Sequence, residues 1–248
     1  MEAYALVTAG VRSNALRMSK DEGFYYEPGT INIIILPNMR LTQRAMTRAM
    51  ISATEAKTAA LWDMDIRSSS TPMTHEATGT GTDNIIVVEG EGQAIDNSGG
   101  HTKMGELIAK AVYEGVLEAV HKQNGIVADR DIFQRLMDRK INLFGAIVLN
   151  DCDCGVTKNQ LAKEMDNLLL QPMYASFLMS SLTLSDDFEK GLIHDLAPFE
   201  LWCKTMAKQI AGKEIDQMKD LVDREGIPII VRMSLNALLN GIYFKEKE

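Results

Sequence analysis

Gly29-Thr30-Ile31-Asn32-Ile33-Ile34 and Gly81-Thr82-Asp83-Asn84-Ile85-Ile86 carry nearly the same phrase, and each runs into an apolar strand followed by a long helical pattern. Two strand-then-helix units in succession predict an α/β first domain: a mixed or mostly parallel sheet with the helices packed on it. A buried strand needs only apolar side chains. A hydroxyl and an amide repeated at its entrance therefore require hydrogen-bond partners, either in turns of the fold or in a ligand.

Working outward, Ala3 to Ala9 reads as a strand entering a turn at Gly10, and Ser19 to Glu27 as a loop ending at Pro28-Gly29. Thr30 to Leu36 is the second strand, closed by Pro37-Asn38. Thr42 is placed to cap a helix from Gln43 to about Asp63, in which Ala45, Ala49, Ala53, Ala56 and Ala60 recur at helical spacing and allow close approach to a sheet. Ser68 to Gly81 is a long loop of Ser, Thr and Gly, and long loops in compact domains often carry function. Asn84 to Glu89 is the next strand. Thr102 caps the clearest helix, where Met104, Ile108, Val112, Val116 and Val120 fall on one face and Lys103, Glu106, Lys110 and Glu114 on the other. Glu106 and Lys110 stand four apart in the favourable order.

A boundary falls near Lys122 to Arg130, dividing the chain into residues 1–124 and a mainly helical region of unknown role, 125–248. There Ile132, Phe133, Leu136 and Met137 predict a helix, and Thr157-x-x-Gln160 is a capping box ahead of another. Ala146 to Leu149 and Ile229 to Val231 read as short strands. This half shows no catalytic motif.

The formal charge of -8 argues against a nucleic-acid partner, which requires clustered Lys and Arg. No apolar run approaches the ~20 residues of a membrane span, and the start lacks a signal-peptide pattern, so a cytoplasmic address is expected. Cys152 and Cys154, one residue apart in Asp151-Cys152-Asp153-Cys154-Gly155 with no second ligand pair, predict free thiols and no metal site. Gly100-His101-Thr102-Lys103-Met104-Gly105 has P-loop glycine spacing, but Glu106-Leu107 stands where Lys and Ser/Thr belong.

The chemistry concentrates in the first half. Thr78, Thr80 and Thr82 alternate with glycines ahead of Asn84, so hydroxyls and backbone N–H groups can crowd one ligand together with Thr30 and Asn32. The helix N-terminus at Thr102 offers further donors. Asp83 and His101, accessible between glycines, are candidate proton carriers. Glu55 and Lys57 stand two apart on an otherwise alanine-rich helix, so they point to different faces; a solvated helix face is the expectation from the residues alone, and one of them reaching a ligand is the alternative.

Thr8-Ala9-Gly10-Val11 with Asn14, Gly29 to Ile33, Ala53-Thr54-Glu55-Ala56-Lys57-Thr58-Ala59-Ala60-Leu61, Ala77 to Asp83, and Gly105-Glu106-Leu107-Ile108 with Ala111-Val112-Tyr113-Glu114 follow in one order. Over about residues 3–121 the chain resembles the adenosylcobinamide amidohydrolase family, CbiZ. The resemblance implies that water cleaves the amide joining the aminopropanol arm to the adenosylated corrin ring, giving adenosylcobyric acid for coenzyme B12 (cobalamin) salvage. The corrinoid is then a small-molecule substrate and no cofactor is expected. Glu55, Asp83 and His101 are the catalytic candidates. Thr30, Asn32, Lys57, Thr78, Thr80, Thr82, Asn84 and Thr102 are the substrate-binding candidates. The attacking group is water or a threonine hydroxyl. Family members carry more chain ahead of the first motif, and the second half matches nothing in the family; pocket cover, homo-oligomerisation and a separate ligand are its candidate uses. The alternatives are a non-catalytic corrinoid-binding or regulatory protein and an amidohydrolase for a different amide.

Overall fold

The computed structural model describes residues 1–23, 28–149, 155–222 and 225–246. They form two compact units, Met1–Asp129 and Arg130–Glu248. Cys152 and Cys154, with the motif around them, lie outside the described residues.

In the first unit, β1 (Ala3–Ala9), β3 (Ile31–Pro37) and β6 (Asn84–Val87) form a three-stranded mixed sheet with β3 central. β1 runs antiparallel to β3, and β6 runs parallel to it. Two-residue strands complete the unit: β2 (Ala15–Leu16) pairs with β5 (Gly79–Thr80), and β4 (Arg40–Leu41) with β7 (Ala94–Ile95). The loop expected from Ser68 to Gly81 thus ends in a short strand. The parallel β3–β6 pair requires a crossover, which helix α1 (Gln43–Asp63) supplies. Helix α2 (Lys103–Asn124) follows β7 and packs on α1 and β1.

The helices arise from the features read in the sequence. The Thr42 hydroxyl accepts from Ala45 N at 3.3 Å, and all five stripe alanines are buried. The Thr102 hydroxyl accepts from Gly105 N at 3.1 Å. Gly125 ends α2 at φ 67°, a left-handed cap that suits glycine. Lys110 and Glu106 pair at 2.7 Å on its exposed face. Ile31, Ile33 and Ile35 point into the core made with α1 and α2, leaving the alternate residues of the sheet on its opposite face.

The second unit contains α3 (Ile132–Asp138), α4 (Leu143–Ala146), α5 (Lys158–Leu169), α6 (Pro172–Glu189), α7 (Ala197–Ala211) and α8 (Ile229–Glu246). Helices α5, α6 and α7 pack on α8, which is buried along much of its length. The capping box expected at Thr157 is formed, and a second one, Asp131 with Gln134, starts α3. Burial pushes the Cys203 thiol on α7 up to about 12, leaving it a packing group. The strand expected at Ile229 to Val231 is the first turn of α8: apolar packing against its neighbours overrides β-branched propensity. Ala146 closes α4, and the expected strand there reduces to one bridge, Ile147 with Val222. Among the described residues, no helix is long and apolar enough to cross a membrane.

Candidate functional site

The two echoed segments lie side by side. Asn32 pairs with Asn84, Ile33 with Ile85 and Ile34 with Ile86, so the repeated phrase is in register on neighbouring parallel strands. Its threonines stitch the two entrances together: the Thr30 hydroxyl donates to Thr82 O at 2.7 Å, and the Thr82 hydroxyl donates to Gly29 O at 3.0 Å.

Strand pleating sends alternate residues to opposite sides, and the site residues divide accordingly. On the side away from the helices, Asn84 Nδ2 donates to Asn32 Oδ1 at 3.4 Å and to Thr82 O at 2.9 Å. Asn32 Nδ2 in turn donates to the Thr8 hydroxyl at 3.2 Å. The result is a row of amides and a hydroxyl across three strands.

On the helix side lies Asp83. Its Oδ1 accepts from the Thr80 hydroxyl at 2.6 Å, from Thr80 N at 3.1 Å and from Ile31 N at 3.2 Å. Its Oδ2 accepts from the Lys57 ammonium, forming an ion pair whose side chains are 8% (Lys57) and 16% (Asp83) exposed. A pair so far out of water persists because additional hydrogen bonds compensate its lost hydration. Gly79 makes room for it: a Cβ there would fall 2.3 Å from Asp83 Oδ2 and 2.6 Å from Lys57 Nζ. Thr78 extends the tie, since its hydroxyl accepts from Met18 N at 3.1 Å and its carbonyl accepts from the Thr58 hydroxyl at 3.0 Å.

Lys57, Thr30, Asn32, Thr78, Thr80, Thr82, Asp83 and Asn84 therefore meet at one end of the sheet. Glu55, two residues from Lys57, is exposed on the outer side of α1. His101 and Thr102 belong to the other end of α1. There Ser98 donates to Ala45 O at 2.5 Å, Ser52 donates to Ser98 O at 3.1 Å, and Gly99 lies between Arg48 and His101. Arg48 precedes Lys57 by nine residues, about 13 Å of helix. The two candidate proton carriers are thus not brought together: the crossover helix α1 starts at the opposite sheet end from the strand entrances, so the segment beside its first half lies away from Asp83. Thr102 spends its hydroxyl on its own helix cap and on Gly99 O at 2.8 Å.

A second polar cluster was not legible in advance. Asp21 accepts from the Ser68 hydroxyl at 2.5 Å, from Arg17 N at 2.7 Å and from the Thr71 hydroxyl at 2.8 Å. Burial works to raise its pKa, but these hydrogen bonds prevail and hold the carboxyl below its ordinary value. Burial, then the cations of Lys20 and Arg17, lowers the pKa of His75. The Arg17 guanidinium also lies 5.0 Å from the Trp62 ring centroid. Asp21 and the 68–71 run are about fifty residues apart, and only the fold unites them.

Comparison with known proteins bears on this unit. The family model described as adenosylcobinamide amidohydrolase matches residues 1–128. An uncharacterized protein of Methanocaldococcus jannaschii is 47% identical over 140 residues, covering 49% of this chain and 54% of that protein. A protein of Methanosarcina mazei named adenosylcobinamide amidohydrolase is 33% identical over 122 residues, covering 45% of this chain and 53% of that one. The chain thus spans about half the length of the curated relatives it matches. No solved structure matches it.

Proposed function

The chain belongs to the adenosylcobinamide amidohydrolase family, and from this premise we propose that it hydrolyses the amide between the aminopropanol arm and the corrin ring of adenosylcobinamide. The products are adenosylcobyric acid and aminopropanol, which fits a step in cobalamin salvage. The corrinoid enters as substrate and brings its own cobalt.

One observation carries the reading: the largely buried Lys57–Asp83 pair, set among hydroxyls at the in-register strand entrances. In the reaction water adds to the amide carbon, the C–N bond breaks, and the amine leaves with a proton. Asp83 is the group for the water proton, through the Oδ2 lone pair that Lys57 leaves free. The Lys57 charge favours the developing oxyanion, and being fixed in place it requires no rearrangement as the charge grows. Direct attack by water is preferred to attack by Thr80, whose hydroxyl is buried and donates to Asp83. Glu55, turned outward from α1, and His101, beside the first half of that helix, fit peripheral roles in binding better than proton transfer.

A second reading has its own support. The donors converging on Asp83 tie α1, β3 and β5 together, as a structural carboxylate would. The protein would then bind corrinoid without cleaving it. Incubation with adenosylcobinamide, followed by mass spectrometry for adenosylcobyric acid and aminopropanol, separates the two. Product formation abolished by Asp83→Asn, with corrinoid affinity kept, is the hydrolase outcome; binding without product is the other.

A further inference from the structure

We propose that the face of the three-stranded sheet turned away from the helices is the platform on which the corrin macrocycle lies, an inference that rests on the corrinoid reading above. The pleat builds this face in three rungs. Thr8, Asn32 and Asn84 form the first, and Leu6, Ile34 and Ile86 the second. Tyr4 and Leu36 begin the third, and Val88, just past β6 with its N–H donating to Ile35 O at 3.0 Å, continues it.

None of these side chains is charged, in a chain of which 24% of residues are. Leu6 and Ile86, flanking Ile34 in the middle rung, are each 57% exposed, and Tyr4 is 59% exposed. A sheet with one open face normally alternates apolar and polar residues; here the open face is itself apolar beyond its first rung, which marks it as a binding surface.

Size and chemistry select the occupant. Strand spacing and rise give a grid of roughly 10 by 13 Å between outer Cα rows, on the order of 300 Å² with side chains. A stable protein interface buries about 800 Å² on each partner, so the patch is small for a second copy of the chain. It suits one flat ring. A corrin is a largely apolar disc rimmed by neutral amides. The aliphatic rungs match the disc, and the amide and hydroxyl rung matches the rim. That polar rung adjoins the candidate site directly, because Asn84 follows Asp83 and donates to Thr82 O. A ring seated here places its rim at the strand entrances, from which one amide arm reaches the Lys57–Asp83 pair.

The test measures equilibrium binding of adenosylcobyric acid, which lacks the scissile amide, by dialysis and corrin absorbance. Wild type is compared with Leu6→Asp and Ile86→Asp, and with Ile51→Asp on the exposed side of α1 as a control. Circular dichroism melts confirm folding, and size-exclusion chromatography with light scattering gives the oligomeric state. Both face variants are expected to bind at least about tenfold more weakly, since an unpaired charge is buried under the ring, while the control is unchanged. Unchanged affinity in folded face variants overturns the proposal even if wild type cleaves adenosylcobinamide. A wild-type dimer split by Ile86→Asp at unchanged corrinoid affinity overturns it in favour of a second copy. Absence of wild-type binding also overturns it. Face-dependent binding without cleavage of adenosylcobinamide upholds the platform and removes only the hydrolase reading.

Discussion

The entrances Gly29–Ile34 and Gly81–Ile86 share their glycine, threonine, asparagine and isoleucines but differ at one interior position, Ile31 against Asp83. Ile31 is fully buried, whereas Asp83 gathers Lys57 and three further donors. The shared residues serve similar ends in both: the threonines cross-link the strands, and the asparagines face the open side. The repetition is thus mostly architectural, and the departure from it introduces the charge. An apolar strand start and a candidate reacting centre are separated by one side chain in a common backbone frame.

This contrast can be broken most severely at its charged member. Asp83→Ala strands the Lys57 ammonium out of water and is expected to cost about 3 kcal/mol by urea titration, besides abolishing turnover. The double variant Asp83→Leu with Lys57→Met is expected to recover much of that stability but none of the activity. Recovery of both would mean that the pair serves folding alone.

Gly79→Ala acts on the same pair through space. Its methyl group would meet both Asp83 and Lys57, and a loss of about 2 kcal/mol is expected, with product formation falling alongside it. If this variant retains full stability, the loop carrying Gly79 is looser than its contacts indicate. Thr82→Val tests the shared architecture, removing one cross-strand hydrogen bond for about 1 kcal/mol in the same titration. Thr30→Val is its counterpart at the other entrance, and similar losses from both would affirm that the two threonines do equivalent work.

The smallest effect lies away from both entrances. His75 is held with a lowered pKa, so the folded chain prefers it neutral, while the unfolded histidine titrates near its ordinary 6.5. Above that value neither state is protonated and stability is flat. As the pH falls below it the unfolded chain gains the proton first and stability declines, until the folded pKa is passed. His75→Gln is expected to flatten the change in urea midpoint between about pH 7.5 and 5.5. Asp21 does not mask this, since its lowered pKa confines its contribution to more acidic conditions.

Elements with local signals were legible in the sequence. The alanine stripe and Thr42 defined α1 from Gln43 to Asp63, and apolar strand character defined β1 from Ala3 to Ala9. Helix α8 was misread at its start because Ile229, Ile230 and Val231 favour a strand, and a helix buried on most sides has little periodicity to reveal it. For the site, the echo located the strand entrances, but two things lay beyond it. Lys57 turns inward while Glu55 turns out, a matter of helix phase. The N-terminus of α2 lies at the far end of the unit, so His101 and Asp83, eighteen residues apart in the chain, belong to different ends.

The parallel register has a kinetic consequence. Asn32 and Asn84 are 52 positions apart, and α1 must span the sheet before they can pair. Such non-local contacts incur loop-closure entropy before they return stabilisation, so they form late in refolding compared with helices such as α1. The donors around Asp83 come from β3, β5 and α1, and they assemble only when that pairing is complete. In a refolding experiment, helical ellipticity is therefore expected to return before corrinoid binding, with the candidate site among the last features of the first unit to form.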